Sequence, residues 1–274
     1  MQDVRGREPA TIPPMPKKPC FIVTGGAGFV GSNLVAALLA RTPRPQVVVM
    51  DSLRSGSFAN LVEACERKGV GAFDGNLIAL STALVDFAEV LDDHPADAVF
   101  HLGAITDTTV SDETAMIREN VEGFAAMMEA CDEAKTPLAY SSSAATYGTP
   151  PQTAERVPFP LSAAGKPNNV YGFSKWLMEC EHRRFSDRVL KRRDREPMVV
   201  GLRYFNVFGP GESRKGKMAS MVWQLTRQVL AGKRPRLFAD GSQARDQVYV
   251  ADVVDCTMTA GGLGKRKPRP GVYN

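Results

Sequence analysis

The sequence predicts a protein of the α/β class with a doubly wound parallel sheet, and three observations support this prediction. Short runs rich in β-branched residues alternate with longer segments of helical periodicity. These runs are apolar throughout, which is typical of strands that helices cover on both faces. A glycine-rich stretch, TGGAGFVGSN at 24–33, joins the first run to the first helical segment. Together these features indicate a Rossmann-type fold, in which ligands bind at the carboxyl ends of the strands.

The elements follow one another along the chain in regular alternation. Strands are predicted at 20–24, 46–51, 97–102, 137–142 and 198–203, and helices at 29–41, 81–93, 112–134 and 169–190. Beyond about residue 205, glycines and prolines become frequent, and we expect a helix at 218–231, short strands and a last strand beginning in RPGVYN. The predicted parts are a flexible leader (1–19), a dinucleotide-binding domain (20–204) and a smaller substrate-binding lobe interleaved with the sheet (205–274).

Composition places the chain among ordinary globular proteins. Of its 274 residues 43% are hydrophobic, which is enough for a substantial core. The formal charge of +4 is small, and the basic stretch HRRFSDRVLKRRDR at 182–195 stands at a predicted helix end, so no nucleic-acid partner is predicted. No apolar run approaches the roughly 20 residues of a membrane span, and there is no signal-peptide core, so we predict a cytoplasmic protein without a membrane partner. The cysteines and histidines lack metal-ligand spacing, so no metal site is predicted.

Three glycines, Gly25, Gly28 and Gly31, lie between the first strand and the first helix with the spacing GxxGxxG. In a βαβ unit the first glycine allows a tight turn, the second lets the backbone approach a pyrophosphate, and the third permits close packing of helix on strand. The N–H groups at the helix N-terminus can bind the anion. The pattern therefore predicts a dinucleotide site, and a merely tight turn is the structural alternative.

Asp51 ends the second strand, 20 residues beyond Gly31. A carboxylate there can accept hydrogen bonds from both ribose hydroxyls of NAD and would repel the 2′-phosphate of NADP. Arg54 could instead bind that phosphate, so the choice between NAD and NADP stays open. Further cofactor contacts are predicted for Tyr171 and Lys175 and for a set near the loop and the later strand ends: Phe29, Val30, Ser52, Asn76, Leu77, Leu102, Gly103, Ala104, Asn120 and Val207.

Tyr171 and Lys175 stand in the stretch NVYGFSKW, which opens a long predicted helix. Their spacing of four places both side chains on one face of that helix. A lysine ammonium beside a phenol lowers the phenol pKa, so the phenolate can take a proton from a substrate hydroxyl while hydride leaves the same carbon for a nicotinamide. Ser143, at the carboxyl end of a strand, could orient that hydroxyl. These three residues are the predicted catalytic group, with a surface Tyr and Lys as the alternative.

These motifs resemble the extended short-chain dehydrogenase/reductase family, through TGGAGFVG, Asp51, Ser143 and the pair Tyr171-x-x-x-Lys175. The resemblance covers about residues 20–274. Three stretches look more specifically like the ADP-heptose 6-epimerases: SSAATYG, GLRYFNVFGPGESRKGKMASMVWQL at 201–225 and LFADGSQARDQVYVADVVD at 237–255. The most discriminating part is Lys-Gly-x-Met-Ala-Ser at 215–220.

That resemblance implies an isomerase of lipopolysaccharide core biosynthesis, which converts ADP-D-glycero-D-manno-heptose to the L-glycero form at carbon 6. Such an enzyme oxidises carbon 6 transiently with one bound NADP or NAD per subunit and returns hydride to the opposite face. Two acid/base groups are then needed, and the family's positions correspond to Tyr171 and Lys215, with Lys175 and Ser143 assisting. The alternative for Lys215 is a solvated lysine in a basic loop. The resemblance also implies a homo-oligomer.

The resemblance further implies a set of contacts with the nucleotide sugar: Ser143, Asn206, Lys217, Gln224, Phe238 and Arg245. Arg245 suits a diphosphate because its forked donors can hold two oxygens. Phe238 could stack on adenine or equally well belong to the core. The chain departs from the family pattern at Ser52, Leu102 and Ile105, and we expect it to lack part of the C-terminal substrate lobe.

Other functions remain open on this sequence. A UDP-hexose 4-epimerase or another nucleotide-sugar epimerase would use the same Ser, Tyr and Lys, and Lys215 with its following Gly-x-Met-Ala-Ser separates the two functions. A 4,6-dehydratase fits less well, because Ser143 is followed by two alanines rather than by an acidic pair. A non-catalytic nucleotide-binding protein would keep the fold and the cofactor, although such proteins usually lose the Tyr or the Lys.

Overall fold

The structure is a computed structural model that describes residues 18–71, 76–80, 86–107, 109–110, 112–149, 158–237, 241 and 244–274. Its strands are β1 (Cys20–Thr24), β2 (Gln46–Met50), β3 (Leu77–Leu80), β4 (Ala98–His101), β5 (Leu138–Ser143), β6 (Val199–Tyr204), β7 (Asn206–Phe208), β8 (Gln247–Tyr249) and β9 (Gly271–Tyr273). Its helices are α1 (Phe29–Leu39), α2 (Phe58–Lys68), α3 (Phe87–Asp93), α4 (Glu113–Asn120), α5 (Phe124–Glu133), α6 (Val170–Arg193), α7 (Met221–Leu230) and α8 (Val250–Met258).

Among the described residues, seven strands form one parallel sheet in the order β3-β2-β1-β4-β5-β6-β9. The strand order reverses at β1: β2 and β3 lie on one side of it, and β4 and the later strands lie on the other side. Thr24 pairs with Met50 and with His101, so the carboxyl ends of β1, β2 and β4 lie side by side. Such a reversal leaves a crevice for a ligand at that edge. The predicted fold class is confirmed.

Two apolar layers enclose this sheet. On one face, strand residues that include Val23 and Val49 pack with α1, α2 and α8. On the other face, Ile22 and Val48 pack with α3, α5 and α6. Successive strand residues point to opposite faces, and both faces are covered. This double cover explains why the strands form continuous apolar runs in the sequence.

The predicted strands of the first 204 residues are confirmed to within one residue at each end. The helix predicted at 112–134 is wrong in one respect: it is two helices, α4 and α5, because Gly123 between them takes a left-handed φ of 85°. α2, β3 and α8 lie outside the predicted elements. α2 begins at its side-chain cap Ser57 and ends at the left-handed Gly69, which are recognisable signals. Of the helix predicted at 81–93, the described part is α3.

The C-terminal part of the chain contributes to both sheets. β7 and β8 form a separate parallel pair in which Asn206 lies opposite Gln247. α8 packs in the core layer of α1, and β9 extends the main sheet beside β6, so the last predicted strand has a partner. The domain division at residues 204 and 205 stays a prediction. Residues 1–17 of the predicted leader lie outside the described residues.

Three features of the described residues concern the predicted partners: the length of the helices, the grouping of metal-binding side chains and the basic stretch 182–195. Within the described ranges, no helix combines the length and apolar character needed to cross a membrane. The same ranges contain no cluster of three or more His, Cys, Asp or Glu side chains that could hold a metal ion. In the basic stretch 182–195, Arg193 and Arg195 both form ion pairs with Asp132 at 2.7 Å. Part of this charge is therefore neutralised within the chain.

Candidate active site

The glycine loop connects β1 to α1 at the carboxyl edge of the sheet. Gly25 has a left-handed φ of 68°, and a Cβ there would lie 2.5 Å from the backbone nitrogen of Gly103. A Cβ at Gly31 would lie 2.1 Å from the Gly25 carbonyl oxygen, so glycine alone lets α1 approach the loop this closely. Gly28 caps α1 without a side-chain hydrogen bond, which leaves N–H groups of the first turn available to a ligand. This cradle fits the diphosphate of a dinucleotide.

Asp51 follows β2 and faces the glycine loop. Its Oδ2 accepts a hydrogen bond from the Ala27 N–H at 2.9 Å, and its Oδ1 accepts one from the Leu53 N–H at 2.8 Å. Each carboxylate oxygen has a second acceptor site, so Asp51 can brace the loop and still accept from ribose hydroxyls. Ser52 and Arg54 lie beside it and are exposed.

The loop after β4 lies against the glycine loop. The Gly103 N–H donates to Thr24 Oγ1 at 3.2 Å. Asn120 is fully buried behind this loop, where its Oδ1 accepts from the Ile105 N–H at 2.7 Å and its Nδ2 donates to Ser174 Oγ at 3.0 Å. Asn120 therefore ties the loop to α6, and its contact with a cofactor stays a prediction.

Two other predicted cofactor contacts, Asn76 and Leu77, lie at the opposite edge of the sheet. Leu77 is the first residue of β3 and pairs with Val47, near the start of β2, whereas the glycine loop follows the paired ends Thr24 and Met50. Along the strands, Leu77 is three residues away from the end that carries the glycine loop, which is roughly 10 Å at the usual rise per residue. The expected placement at a strand end is wrong for both residues, because β3 begins there, and their contact with a cofactor stays a prediction.

The remaining predicted cofactor contacts lie in the glycine loop or near it. Phe29 and Val30 form the first turn of α1. Leu102 and Ala104 are half-buried in the loop after β4. Val207, in β7, is also half-buried and packs against the core layer of α1 and α8. Contact of these side chains with a cofactor stays a prediction.

Ser143, Tyr171 and Lys175 lie where the end of β5 meets the start of α6. Ser143 is the last residue of β5, and its side chain is close enough to Tyr171, in the first turn of α6, to lower the pKa of that phenol. α6 begins after Asn169, whose side chain caps it by accepting a backbone N–H at 2.8 Å. Lys175 follows one helical turn later on the same face. The three predicted catalytic residues therefore come from one strand and one helix.

Lys175 is only 1% exposed and lies against β5. Its Nζ donates to the Ser141 carbonyl oxygen at 2.8 Å, and burial lowers the pKa of its ammonium to about 7. Burial raises the pKa of the Tyr171 phenol, and Ser143 opposes that rise. The expected lowering of the phenol pKa by the lysine is not found: burial and Ser143 account for the shift, and the Lys175 ammonium donates to Ser141.

Lys215 stands on a separate loop, 209–220, that packs over the start of α1. Its Nζ lies 5.4 Å from the centroid of the Phe29 ring. Burial lowers the pKa of its ammonium, and the neighbouring Glu212 raises it. Glu212 is 3% exposed, and its carboxylate accepts backbone N–H groups from both ends of the loop at 3.0 and 2.8 Å. Lys215 is thus a half-buried cation held at the glycine loop, unlike the solvated lysine of the alternative interpretation.

The loop 209–220 reaches from α1 to the loop after β4. On one side, Asn33 Nδ2 donates to the Pro210 carbonyl oxygen at 3.0 Å. On the other side, the pKa of Asp107 is lowered, chiefly by hydrogen bonds from Thr109 and further by the charge of Lys217. The loop therefore packs against the start of α1, beside the glycine loop.

The predicted contacts with a nucleotide sugar are spread over the C-terminal part of the chain. Lys217 and Arg245 are exposed. The side-chain amides of Asn206 and Gln224 donate to backbone carbonyl oxygens at 3.0 and 2.7 Å, so both support nearby loops. Phe238 lies outside the described residues. Their contacts with a substrate stay predictions.

Three buried charged residues near the site, Glu179, Arg203 and Glu212, lie outside the prediction. Glu179 and Arg203 form an ion pair at 2.8 Å. Arg203 interrupts an otherwise apolar strand, and an isolated charge in such a run indicates a buried partner. Glu212 carries no comparable signal, because its two backbone partners depend on the path of the loop.

The chain is similar to nucleotide-sugar epimerases in sequence and in structure. A profile of the NAD dependent epimerase/dehydratase family matches residues 21–274. The ADP-L-glycero-D-manno-heptose-6-epimerase of Alkalilimnicola ehrlichii is 39% identical over 260 residues, which are 93% of this chain and 74% of that protein. The Helicobacter pylori structure of the same name has a TM-score of 0.75 and 34% identity, covering 94% of this chain and 76% of that chain. UDP-N-acetylglucosamine 4-epimerase from Methanobrevibacter ruminantium has a TM-score of 0.74 and 27% identity, covering 90% and 74%.

Proposed function

The chain belongs to the NAD dependent epimerase/dehydratase family, and we propose that it epimerises ADP-D-glycero-D-manno-heptose at carbon 6 to the L-glycero form. One observation carries this proposal: Lys215 lies half-buried over Phe29, on a loop separate from the elements that hold Ser143 and Tyr171. Inversion at carbon 6 with a separate acid/base group for each orientation of the sugar, as the resemblance implies, would use two such groups, and the chain offers two on separate elements. The Alkalilimnicola and Helicobacter relatives carry this activity in their names.

The residues divide the proton chemistry between two sides of the sugar. One of Tyr171 and Lys215 takes the proton of the carbon 6 hydroxyl as hydride leaves that carbon, and Ser143 orients the hydroxyl. When bound, the nicotinamide cofactor supplies the acceptor and later the donor of that hydride. After the keto sugar presents its other face, the second group returns a proton to the oxygen. Proton exchange with water then restores Tyr171 and Lys215.

The cofactor site fits a dinucleotide, as the NAD dependent family requires. Asp51 accepts hydrogen bonds from the adenosine ribose hydroxyls in this proposal. The exposed Arg54, three residues further on, binds the additional phosphate of NADP. The chain is therefore proposed to accept NAD and NADP.

Arg54→Ala is expected to weaken NADP binding about tenfold and to leave NAD binding unchanged, because the guanidinium would contact only the 2′-phosphate. Calorimetric Kd values for both cofactors on cofactor-free protein measure this. Arg41→Ala is the matched control, since Arg41 is also exposed but follows the far end of α1. Equal losses for the two cofactors, or no loss for NADP, would contradict the role of Arg54.

Proton NMR of the sugar, without added reductant, tests the reaction itself. We expect ADP-D-glycero-D-manno-heptose to yield the signals of the L-glycero epimer. UDP-glucose is the second substrate, because a 4-epimerase of UDP sugars is among the similar structures. If only UDP-glucose is epimerised, the substrate and the role of Lys215 are wrong, but the chemistry of Tyr171 and Lys175 stands. Binding of NAD without turnover of either sugar would instead support a non-catalytic nucleotide-binding protein.

A further inference from the structure

A fully buried ion pair lies beneath the carboxyl end of β5. Arg203, in β6, donates from Nε to Glu179 Oε1 at 2.9 Å and from Nη2 to Glu179 Oε2 at 2.8 Å. The side chain of Glu179 is 0% exposed and that of Arg203 is 4% exposed. Two parallel contacts of this kind fix the orientation of the two side chains as well as the distance between them.

Stability alone does not account for this pair. Both charges lose their hydration on burial, and an apolar pair of similar volume is often as stable or more so. A function for Glu179 and Arg203 must therefore depend on their directional hydrogen bonds, which apolar side chains cannot form.

Other hydrogen bonds of the pair reach the chain on both sides of Ser143. Ser142 Oγ donates to Glu179 Oε1 at 2.5 Å. Arg203 Nη1 donates to the Tyr147 hydroxyl at 2.7 Å, and Tyr147 ends the short 3-10 turn that begins directly after Ser143. The ion pair is thus bonded to the residue before Ser143 and to the turn after it.

Glu179 also fixes α6 against β5. It follows Lys175 by one helical turn and Tyr171 by two, so these side chains share the face that packs towards the strand. A shift of α6 along β5 would separate Tyr171 from Ser143. The two-point contact with Arg203 opposes such a shift, because its geometry tolerates little displacement.

The network continues from Arg203 to two distant segments. Arg203 Nη1 also donates to the Leu161 carbonyl oxygen at 3.0 Å. The Tyr147 hydroxyl donates to Asn274 Oδ1 at 2.7 Å, and Asn274 Nδ2 donates to the Phe159 carbonyl oxygen at 2.9 Å. The end of β5 is therefore held from several directions at once.

We infer that Glu179 and Arg203 are positioning residues, which hold Ser143 and Tyr171 in the register that proton transfer requires. This inference rests on the acid/base chemistry of the proposed function. The two charged groups act through Ser142, through Tyr147 and through the placement of α6.

The double variant Glu179→Met/Arg203→Leu tests the inference. It removes both charges together and so avoids the unpaired buried charge that either single change would leave. We expect the unfolding midpoint and the Kd for NAD to stay close to those of the parent. We expect kcat to fall on the order of 100-fold, as for a small misplacement of reacting groups. Parental stability with an unchanged kcat would show a merely structural pair and overturn the inference.

A second readout does not depend on the sugar. The pKa of the Tyr171 phenol is read from the ultraviolet absorbance difference between each protein and its Tyr171→Phe counterpart. We expect this pKa to rise in the double variant, because Ser143, whose side chain lowers it, is then held less firmly beside the phenol. An unchanged pKa overturns the inference whatever the substrate is, so this inference and the proposed function fail separately.

If the double variant does not fold, Ser142→Ala/Tyr147→Phe provides the same test, because it removes both bonds to the strand end and leaves the ion pair in place. A fall in kcat with a raised Tyr171 pKa supports the inference, and no change in either overturns it. Glu181→Gln/Arg184→Gln is the matched control. It removes a surface ion pair of the same helix, in which Arg184 is 75% exposed. It is expected to change neither kcat nor the Tyr171 pKa.

Discussion

Tyr171→Phe is expected to lower kcat for the epimerisation about 1,000-fold, within the usual range for loss of a general acid/base group. Phenylalanine keeps the ring and its packing, so the fold and the Kd for NAD are expected to be those of the parent. The change removes the hydroxyl whose pKa Ser143 lowers and which exchanges the substrate proton in the proposed reaction. Initial rates by NMR at saturating sugar measure kcat, and calorimetry measures the Kd.

Phe173→Leu is the matched control for this variant. Phe173 lies two residues further along α6, and it is 47% exposed. Its replacement is expected to leave kcat unchanged. Turnover by Tyr171→Phe at the parental rate would show that Tyr171 is not an acid/base group, and the chemistry assigned to the end of β5 would have to be abandoned.

Lys215→Met is expected to lower kcat about 100-fold and to leave the Kd for NAD unchanged. Methionine is long, flexible and apolar, so it can still pack over the Phe29 ring. It cannot carry a proton. Burial lowers the pKa of the Lys215 ammonium, which brings proton exchange closer to neutral pH than for a solvated lysine.

A reaction with two bases leaves a signature in the Lys215→Met variant. In a single turnover, followed by nicotinamide absorbance, one epimer is expected to transfer hydride as before, and the other is expected to fail. Lys217→Met provides the contrast, because this exposed neighbour is predicted to bind substrate and its loss should raise KM rather than lower kcat. A parental kcat for Lys215→Met would rule out its acid/base role.

Much of the fold could be predicted from the sequence. The strands are continuous apolar runs because helices cover both faces, and that pattern is visible without knowing which strands are neighbours. The glycine loop could be recognised for a similar reason. The left-handed φ of Gly25 and the close contact of Gly31 with the Gly25 carbonyl oxygen arise within the turn between β1 and α1, so they leave a local pattern.

The prediction was wrong where a residue's position depends on the sheet register. Asn76 and Leu77 were placed at a strand end, but pairing of Leu77 with Val47 puts them at the opposite edge. The hydrogen bonds of the Asn120 amide with Ile105 and Ser174 behind the loop also lie outside the prediction. Neither the strand pairing of Leu77 nor the hydrogen-bond partners of Asn120 can be predicted from neighbouring residues in the sequence.

Local pattern was sufficient for most of the strands and helices, the glycine loop and the common face of Tyr171 and Lys175, because these features join residues only a few positions apart. The folded chain was needed for the buried pair of Glu179 with Arg203 and for the pKa of Lys175 near 7. The ion pair joins residues 24 positions apart on consecutive elements, α6 and β6, and it forms only when the helix packs beside the strand. The lowered pKa arises because packing of α6 against β5 removes water from the ammonium, and hydration depends on every segment around a group rather than on its neighbours in the chain.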